Sequence, residues 1–254
     1  MRKLGARHVE VVDPVALSDV EIERLGLFAL PDEDGPLRLF SAGRLLHWKG
    51  YDYGIRALAV VLKDLAMSGA EYWILGEGPE RRRLEDLATS LGVQDHVIFS
   101  GMVPRAELLD RLEQSHIFVH PSFHDCGGYA TLEAMAAGRP VLCLNLGGPG
   151  TQVTEETGKA IDAVSPEQVV RDLAEGMLGL ARNRQELRRK GAAARERVQK
   201  RYRWAKIVEG IARCHRELVE RAPTQQGEVF AGDGVAAHSA PAFEMTITGE
   251  QASL

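Results

Sequence analysis

From residue 37 onward, apolar positions alternate between two kinds of segment. Short apolar runs end in glycine or proline, as in LRLFSAG, YWILG, VIFSG, IFVHP and VLCLNLGG. Between them, longer segments repeat apolar residues every three or four positions, as at Ile55, Leu58, Ala59 and Leu62. The first kind is typical of buried strands and the second of amphipathic helices. Five strand–helix alternations with short connections predict an α/β fold, a doubly wound parallel sheet of the Rossmann-like type.

The segment before this pattern predicts a connector. Residues 1–36 contain a candidate strand at 9–12 and a short helix that begins at Ser18, where Glu21 three positions on completes a capping box. PDEDGP then supplies turn residues that mark a boundary. The Rossmann-like domain is therefore expected over residues 37–222.

The C-terminal part predicts an edge strand, helices and a tail. Residues 159–163 suggest a short edge strand, and 165–221 are expected to be helical. Within 181–206 there are eleven basic residues and two acidic ones. A solvated helix face is favoured there over a membrane-surface helix, although peripheral membrane contact stays open. The tail at 223–254 has four acidic residues and no Lys or Arg, and is expected to be disordered.

Composition narrows the class of protein. The 254 residues are 44% hydrophobic and 26% charged, which indicates a globular domain. A formal net charge of −5 gives no reason to expect nucleic acid as a partner. Three widely spaced cysteines without a CxxC pair suggest reduced thiols and a cytoplasmic location. The N-terminus lacks the apolar core of a signal peptide, and no apolar run is long enough to span a bilayer.

Candidate chemistry collects where the predicted strands end, which is where such sheets bind ligands. PSFHDCGGYATLEAMAAGRPV at 121–141 places Asp125 before a glycine pair and Glu133 on the following helix. A helix N-terminus attracts phosphate, and carboxylates accept hydrogen bonds from hydroxyls. GRLLHWKG adds Arg44 and Lys49, two cations that can neutralise a diphosphate. Because Glu133 lies among small and apolar residues, a polar ligand or a cation must meet it.

Other motifs in the same region are weaker. His116, His120, His124 and Cys126 invite a metal site, but the first two flank a strand and lie too far apart to chelate one ion. His120 or His124 could still touch a ligand, whereas Cys126 fits a small residue in a tight loop better than a nucleophile. GEGPE lacks the third glycine of a dinucleotide fingerprint and has a glutamate where phosphate would approach.

Four of these motifs carry a family resemblance. In order, GRLLHWKG, LGEGPE, VIFSGMVP and PSFHDCGGYATLEAMAAGRPVLCLNLGG resemble the C-terminal domain of group 1 glycosyltransferases, the retaining family 4 enzymes of the GT-B fold. The resemblance covers residues 37 to about 220. It implies a hexosyltransferase-type activity on a nucleoside diphosphate sugar, without an obligatory metal or other cofactor. The acceptor is not identified.

The resemblance also implies roles for particular residues. Arg44 and Lys49 would hold the diphosphate and stabilise the leaving group, Asp125 would meet hydroxyls of the donor sugar, and Glu133 would accept the ribose hydroxyls. The chain near Met102 and Val103 would border the base. The donor-binding set implied in this way is Gly43, Met102, Val103, Gly127, Gly128, Tyr129, Ala130 and Glu133.

Two departures from the family qualify these expectations. The family usually has Glu, Gly, Phe and Gly at positions 125–128, where this chain has Asp, Cys, Gly and Gly, and the shorter acid leaves the donor's identity open. The N-terminal GT-B domain, which binds the acceptor, is expected to come from elsewhere in cis or in trans. A fragment or split glycosyltransferase is the leading hypothesis. The alternatives are a non-catalytic nucleotide-sugar-binding or partner module and part of a GT-B-like nucleotide-sugar 2-epimerase.

Overall fold

The computed structural model describes residues 15–29 and 35–221. The candidate strand at 9–12, most of the PDEDGP turn and the tail from 223 lie outside these residues. The elements are, in chain order, α1 (Asp19–Gly26), β1 (Arg38–Ala42), α2 (Tyr51–Val61), β2 (Glu71–Leu75), α3 (Arg81–Ser90), β3 (Val97–Gly101), α4 (Arg105–Gln114), β4 (Ile117–His120), α5 (Tyr129–Ala136), β5 (Val141–Leu144), α6 (Gly147–Gln152), β6 (Gly158–Ile161), α7 (Pro166–Arg182), α8 (Arg184–Arg201) and α9 (Trp204–Arg221).

The strands form a six-stranded parallel sheet in the order β3-β2-β1-β4-β5-β6. From β1 the chain moves outward through β2 and β3, and then returns to the other side of β1 for β4, β5 and β6. This reversal is the topological switch point of a doubly wound sheet, and it opens a crevice between the carboxyl ends of β1 and β4. The fold predicted from the hydrophobic pattern is confirmed.

Each face of the sheet has its own hydrophobic core. One face is covered by α2, α3 and α7, with Ile55 and Leu173 fully buried. The other face is covered by α1, α4, α5 and α8, with Leu132 and Val198 fully buried. Since both faces are covered, the strands read in the sequence as continuous apolar runs.

Several local predictions are confirmed, and one helix was not foreseen. Ser18 and Glu21 form both hydrogen bonds of a capping box at the start of α1. The edge strand expected at 159–163 is β6. The glycine turn expected after β5 is instead the short helix α6, whose sequence GGPGTQ is rich in helix-breaking residues.

The basic segment is exposed along much of its length, as at Arg189 and Lys200, but two of its arginines bind backbone carbonyls. Arg195 donates to the carbonyl oxygens of Ala136 and Ala137 at 3.2 and 3.1 Å, at the end of α5. Arg197 donates to the carbonyl of Gln152 at 2.7 Å. A cation at a helix C-terminus satisfies carbonyls that have no intrahelical donor. These arginines therefore attach α8 to the rest of the domain.

Arg139 likewise binds backbone carbonyl oxygens, but in the interior of the domain. Its side chain is fully buried, and its guanidinium donates to the carbonyl oxygens of Leu112 at 3.0 Å, of Ala29 at 2.7 Å and of Glu113. Leu112 and Glu113 belong to the last turn of α4, so the cation also meets the negative end of that helix. Arg139 thereby joins the connector, α4 and the turn after α5.

We expect Arg139→Met to destabilise the protein strongly. Methionine fills much of the same volume but leaves buried carbonyl oxygens without donors, which costs about 2–4 kcal/mol in the free energy of unfolding. Urea denaturation of the full chain measures this loss. Arg82→Met, at an exposed arginine of α3, serves as the matched control. A change at Arg139 no larger than that of the control would contradict the role assigned to its hydrogen bonds.

Candidate functional site

The loops after β1 and β4 meet at the switch point through direct backbone contact. The backbone N–H of Phe123 donates to the carbonyl of Trp48 at 2.8 Å. Gly50 has a φ of 66°, and a Cβ atom built on it would lie 2.1 Å from the carbonyl oxygen of Pro121. Only glycine allows the two loops to approach so closely. This contact brings Lys49 and Asp125, which are 76 positions apart in the sequence, to one place.

Asp125 is the centre of this arrangement. Its Oδ2 accepts from Lys49 Nζ at 2.7 Å and from His120 Nε2 at 3.0 Å, and its Oδ1 accepts from the backbone N–H of Gly128 at 2.8 Å. The hydrogen bond from His120, followed by those from Lys49 and Gly128, outweighs burial and lowers the pKa of Asp125 well below its ordinary value. Asp125 is therefore ionised at neutral pH and can only accept, so Nε2 of His120 carries a proton.

The helix that follows provides an anion-ready N-terminus. Gly128 caps α5 in the left-handed conformation, with a φ of 65°. The first turn of the helix leaves backbone N–H groups without intrahelical acceptors at Tyr129 and Ala130. The loop before it is held by α6, since Gln152 Nε2 donates to the carbonyl of Gly127 at 2.6 Å. The N-terminus of α5 thus lies beside Lys49 at the crevice.

Glu133 meets a cation within the chain itself. It is 6% exposed, and its Oε1 accepts from Arg105 Nη2. This hydrogen bond raises the pKa of Arg105, whose side chain remains 47% exposed. Arg105 begins α4, directly after the segment that contains Met102, which is 85% exposed, and Val103. A cation beside the buried glutamate was expected, but no feature of the sequence indicated that Arg105, 28 positions away, would supply it.

Arg44 has a different environment from the other cations. It is exposed in the loop after β1, and no ion pair involves it within residues 15–29 and 35–221. The loop itself is ordered by its backbone, because the N–H of Gly43 donates to Leu75 and that of Leu45 donates to Glu77, both at 2.9 Å. Arg44 is thus a cation on a fixed loop with its charge uncompensated by a partner side chain.

The connector also reaches the candidate site. Tyr129 donates its hydroxyl hydrogen bond to Glu21 of α1, and a Cβ atom built on Gly127 would lie 2.4 Å from Cγ2 of Val15. Val15 therefore fills space that a side chain at position 127 would need. The phenylalanine that the family usually has at this position would not fit beside Val15 in this arrangement.

The histidines that suggested a metal site are separated. His116 precedes β4 and is buried, and its Nδ1 accepts from the backbone N–H of Arg38 at 3.0 Å. Burial lowers its pKa to about 3, so the ring is neutral at physiological pH. His120 lies at the other end of the strand, against Asp125. Within the part of the chain described, no group of three or more His, Cys, Asp or Glu residues is placed to hold a metal ion.

A separate groove lies away from these residues. A groove of about 960 Å³ runs between α2, α3 and α7, with Tyr53, Arg56 and Glu167 in its wall. None of the sequence-predicted site residues lines it. We place the candidate site at the switch point instead, because ionised groups and a helix N-terminus converge there.

Comparison with known proteins agrees with this geometry. Residues 28–197 match the family model described as glycosyl transferases group 1. The chain is 34% identical over 144 residues to the 2-deoxystreptamine glucosyltransferase of Streptomyces kanamyceticus, covering 55% of this chain and 36% of that protein. It is 34% identical over 177 residues to the GDP-mannose-dependent alpha-(1-6)-phosphatidylinositol monomannoside mannosyltransferase of Mycobacterium tuberculosis, covering 66% and 44%. The chain thus spans less than half the length of these relatives.

Solved structures share the fold. The C-terminal domain of the group 1 family protein LpcC from Francisella tularensis matches with a TM-score of 0.59 at 21% identity, covering 78% of this chain and 100% of that one. Anabaena Alr3699/HepE, solved with UDP and glucose, matches with a TM-score of 0.60 at 22% identity, covering 79% of this chain and 53% of that one. At these levels of sequence identity, the structural similarity shows a shared fold. Together with the family match over two thirds of its length, it identifies this chain as a member of the group 1 glycosyl transferases.

Proposed function

We propose that this chain is the donor-binding half of a retaining glycosyltransferase of the hexosyltransferase type, which uses a nucleoside diphosphate sugar. The observation that carries the proposal is the convergence of Arg44, Lys49, the N-terminus of α5 and Glu133 around the switch point. Cations and unpaired N–H groups suit a diphosphate, and a buried carboxylate beside them suits ribose hydroxyls.

The diphosphate would lie between the loop after β1 and the start of α5. Arg44 is free to meet it directly. Lys49 would share its charge between Asp125 and a phosphate oxygen, since an ammonium group has three donors. As the bond to the sugar breaks, negative charge grows on the departing diphosphate. The two cations and the N–H groups of Tyr129 and Ala130 would then stabilise that charge more than they stabilise the ground state.

The rest of the donor would extend to both sides of the diphosphate. Glu133 would accept the ribose hydroxyls through the carboxylate oxygen that Arg105 leaves open, and the base would lie against Met102 and Val103. Asp125 would accept a hydroxyl of the donor sugar at Oδ1. No residue in this scheme needs a metal ion, because the cations already present carry the charge compensation.

The relatives support a sugar-nucleotide donor but leave its identity open. One of them is named as GDP-mannose-dependent, whereas the HepE structure contains UDP and glucose. The acceptor and the N-terminal domain stay predictions, because the chain matches less than half of each relative. Contact with a membrane surface through the basic helices is also a prediction. No helix described here combines the length and apolar character needed to cross a bilayer.

Calorimetric titration of the full chain with UDP, GDP and ADP tests the donor class. We expect at least one of the three to bind, and Glu133→Gln to weaken binding of that nucleotide roughly tenfold or more, because a neutral amide replaces the charged acceptor of the ribose hydroxyls. Glu107→Gln, at an exposed glutamate of α4, is the matched control and should bind like the wild type. Absence of binding for all three nucleotides at millimolar concentration would falsify the proposal.

The phosphate end of the site is tested separately. We expect Arg44→Ala and Lys49→Ala each to weaken the nucleoside diphosphate roughly tenfold or more, and to weaken the matching nucleoside monophosphate less. The reason is that the monophosphate lacks the second phosphate that these cations would contact. Arg82→Ala provides the control for removing a positive charge elsewhere on the surface. Equal losses for monophosphate and diphosphate would remove the two cations from the diphosphate subsite.

A further inference from the structure

His120 is a buried polar group that the proposed donor contacts do not use. It is the last residue of β4, and its side chain is 7% exposed. Its ring stacks on Phe118 with centroids 5.9 Å apart and an interplanar angle of 13°. Its Nε2 lies 3.0 Å from Oδ2 of Asp125. A strand end thus presents one N–H donor to the central carboxylate of the site.

The hydrogen bonds of Asp125 show what this donor does. A carboxylate has about four acceptor positions, two on each oxygen. Both positions on Oδ2 are filled, by Lys49 at 2.7 Å and by His120. On Oδ1, the N–H of Gly128 fills one position at 2.8 Å, and no other donor among residues 15–29 and 35–221 occupies the second. The carboxylate therefore has one end that is fully occupied by the protein and one end with a vacant acceptor position.

We propose that His120 is a positioning residue that fixes the orientation of Asp125, so that Lys49 is held toward the diphosphate and Oδ1 stays open to a donor hydroxyl. This inference rests on the proposed function of the same site. Without the His120 donor, Lys49 would be the only side chain on Oδ2. The partly buried carboxylate would then draw the ammonium group more strongly to itself, and less of the charge of Lys49 would remain for phosphate.

Two substitutions separate the N–H donor of His120 from its ring. His120→Phe keeps an aromatic ring that can stack on Phe118 but has no donor. His120→Gln loses the ring and retains a terminal amide N–H that can reach the place of Nε2. If His120 acts only by filling space, the phenylalanine variant should resemble the wild type. If it acts through its hydrogen bond, the glutamine variant should.

Binding of the nucleoside diphosphate that the wild type prefers provides the first readout. We expect His120→Phe to weaken binding about tenfold and His120→Gln to stay within about threefold of the wild type, as for loss and retention of one charge-assisted hydrogen bond. Thermal denaturation should show both variants folded. The control is His96→Asn, at the amino end of β3, where His96 Nδ1 lies 2.9 Å from the carbonyl oxygen of Ala70. Wild-type affinity in His120→Phe, or an equal loss in both His120 variants, would overturn the inference.

The second readout needs no nucleotide. In ¹⁵N-histidine-labelled protein, the ring of His120 should show the Nε2–H tautomer with a slowly exchanging proton, and Asp125→Ala should abolish that signature. Its absence from a wild type that does bind nucleotide overturns the positioning role and leaves the donor-binding proposal intact. A wild type that binds none of UDP, GDP and ADP overturns both.

Discussion

The candidate site depends on the hydrogen bonds that the carboxylate of Asp125 accepts. This carboxylate accepts from Lys49 in the loop after β1, from His120 at the end of β4 and from Gly128 at the start of α5. The loop after β1 belongs to one winding of the sheet, and the end of β4 and the start of α5 belong to the other, so the switch point between β1 and β4 brings them together. Asp125 therefore holds Lys49 and the N-terminus of α5 in a fixed geometry relative to each other. A fixed arrangement of donors is what allows a site to select an anion of matching shape.

Both carboxylates of the site are already paired with cations inside the chain. Lys49 contacts Asp125 and Arg105 contacts Glu133, so binding of the proposed donor would exchange or share existing ion pairs. Such an exchange gains less free energy than a new pairing, because the attraction was present beforehand. If the domain binds a diphosphate as proposed, the attraction that is not offset by an existing ion pair would come mainly from Arg44 and from the N–H groups at the start of α5. On the proposed function, this division would keep the buried acids paired and still leave a net attraction for phosphate.

The sequence predicted the elements better than it predicted their partners. Strands such as IFVH and helices such as α2 follow from hydrophobic period, which burial on two faces of the sheet imposes. The helix α6 could not be foreseen, because GGPGTQ has poor helix propensity and is held by tertiary contacts, including that of Gln152 with Gly127. The pairing of Arg105 with Glu133 could not be predicted from the sequence either. Only the folded chain shows which of its many arginines lies beside Glu133, at the start of α4.

The departures from the family pattern at 125–128 have a consistent physical account in this chain. An aspartate is one methylene shorter than the usual glutamate, and it is held at that shorter reach by donors from Lys49 and His120. A glycine replaces the usual phenylalanine at 127, and Val15 of the connector occupies the space beside it. The same connector contacts Tyr129 through Glu21. Because a connector leads toward a preceding domain in the GT-B arrangement, these contacts would link the proposed donor site directly to the segment that joins it to such a domain.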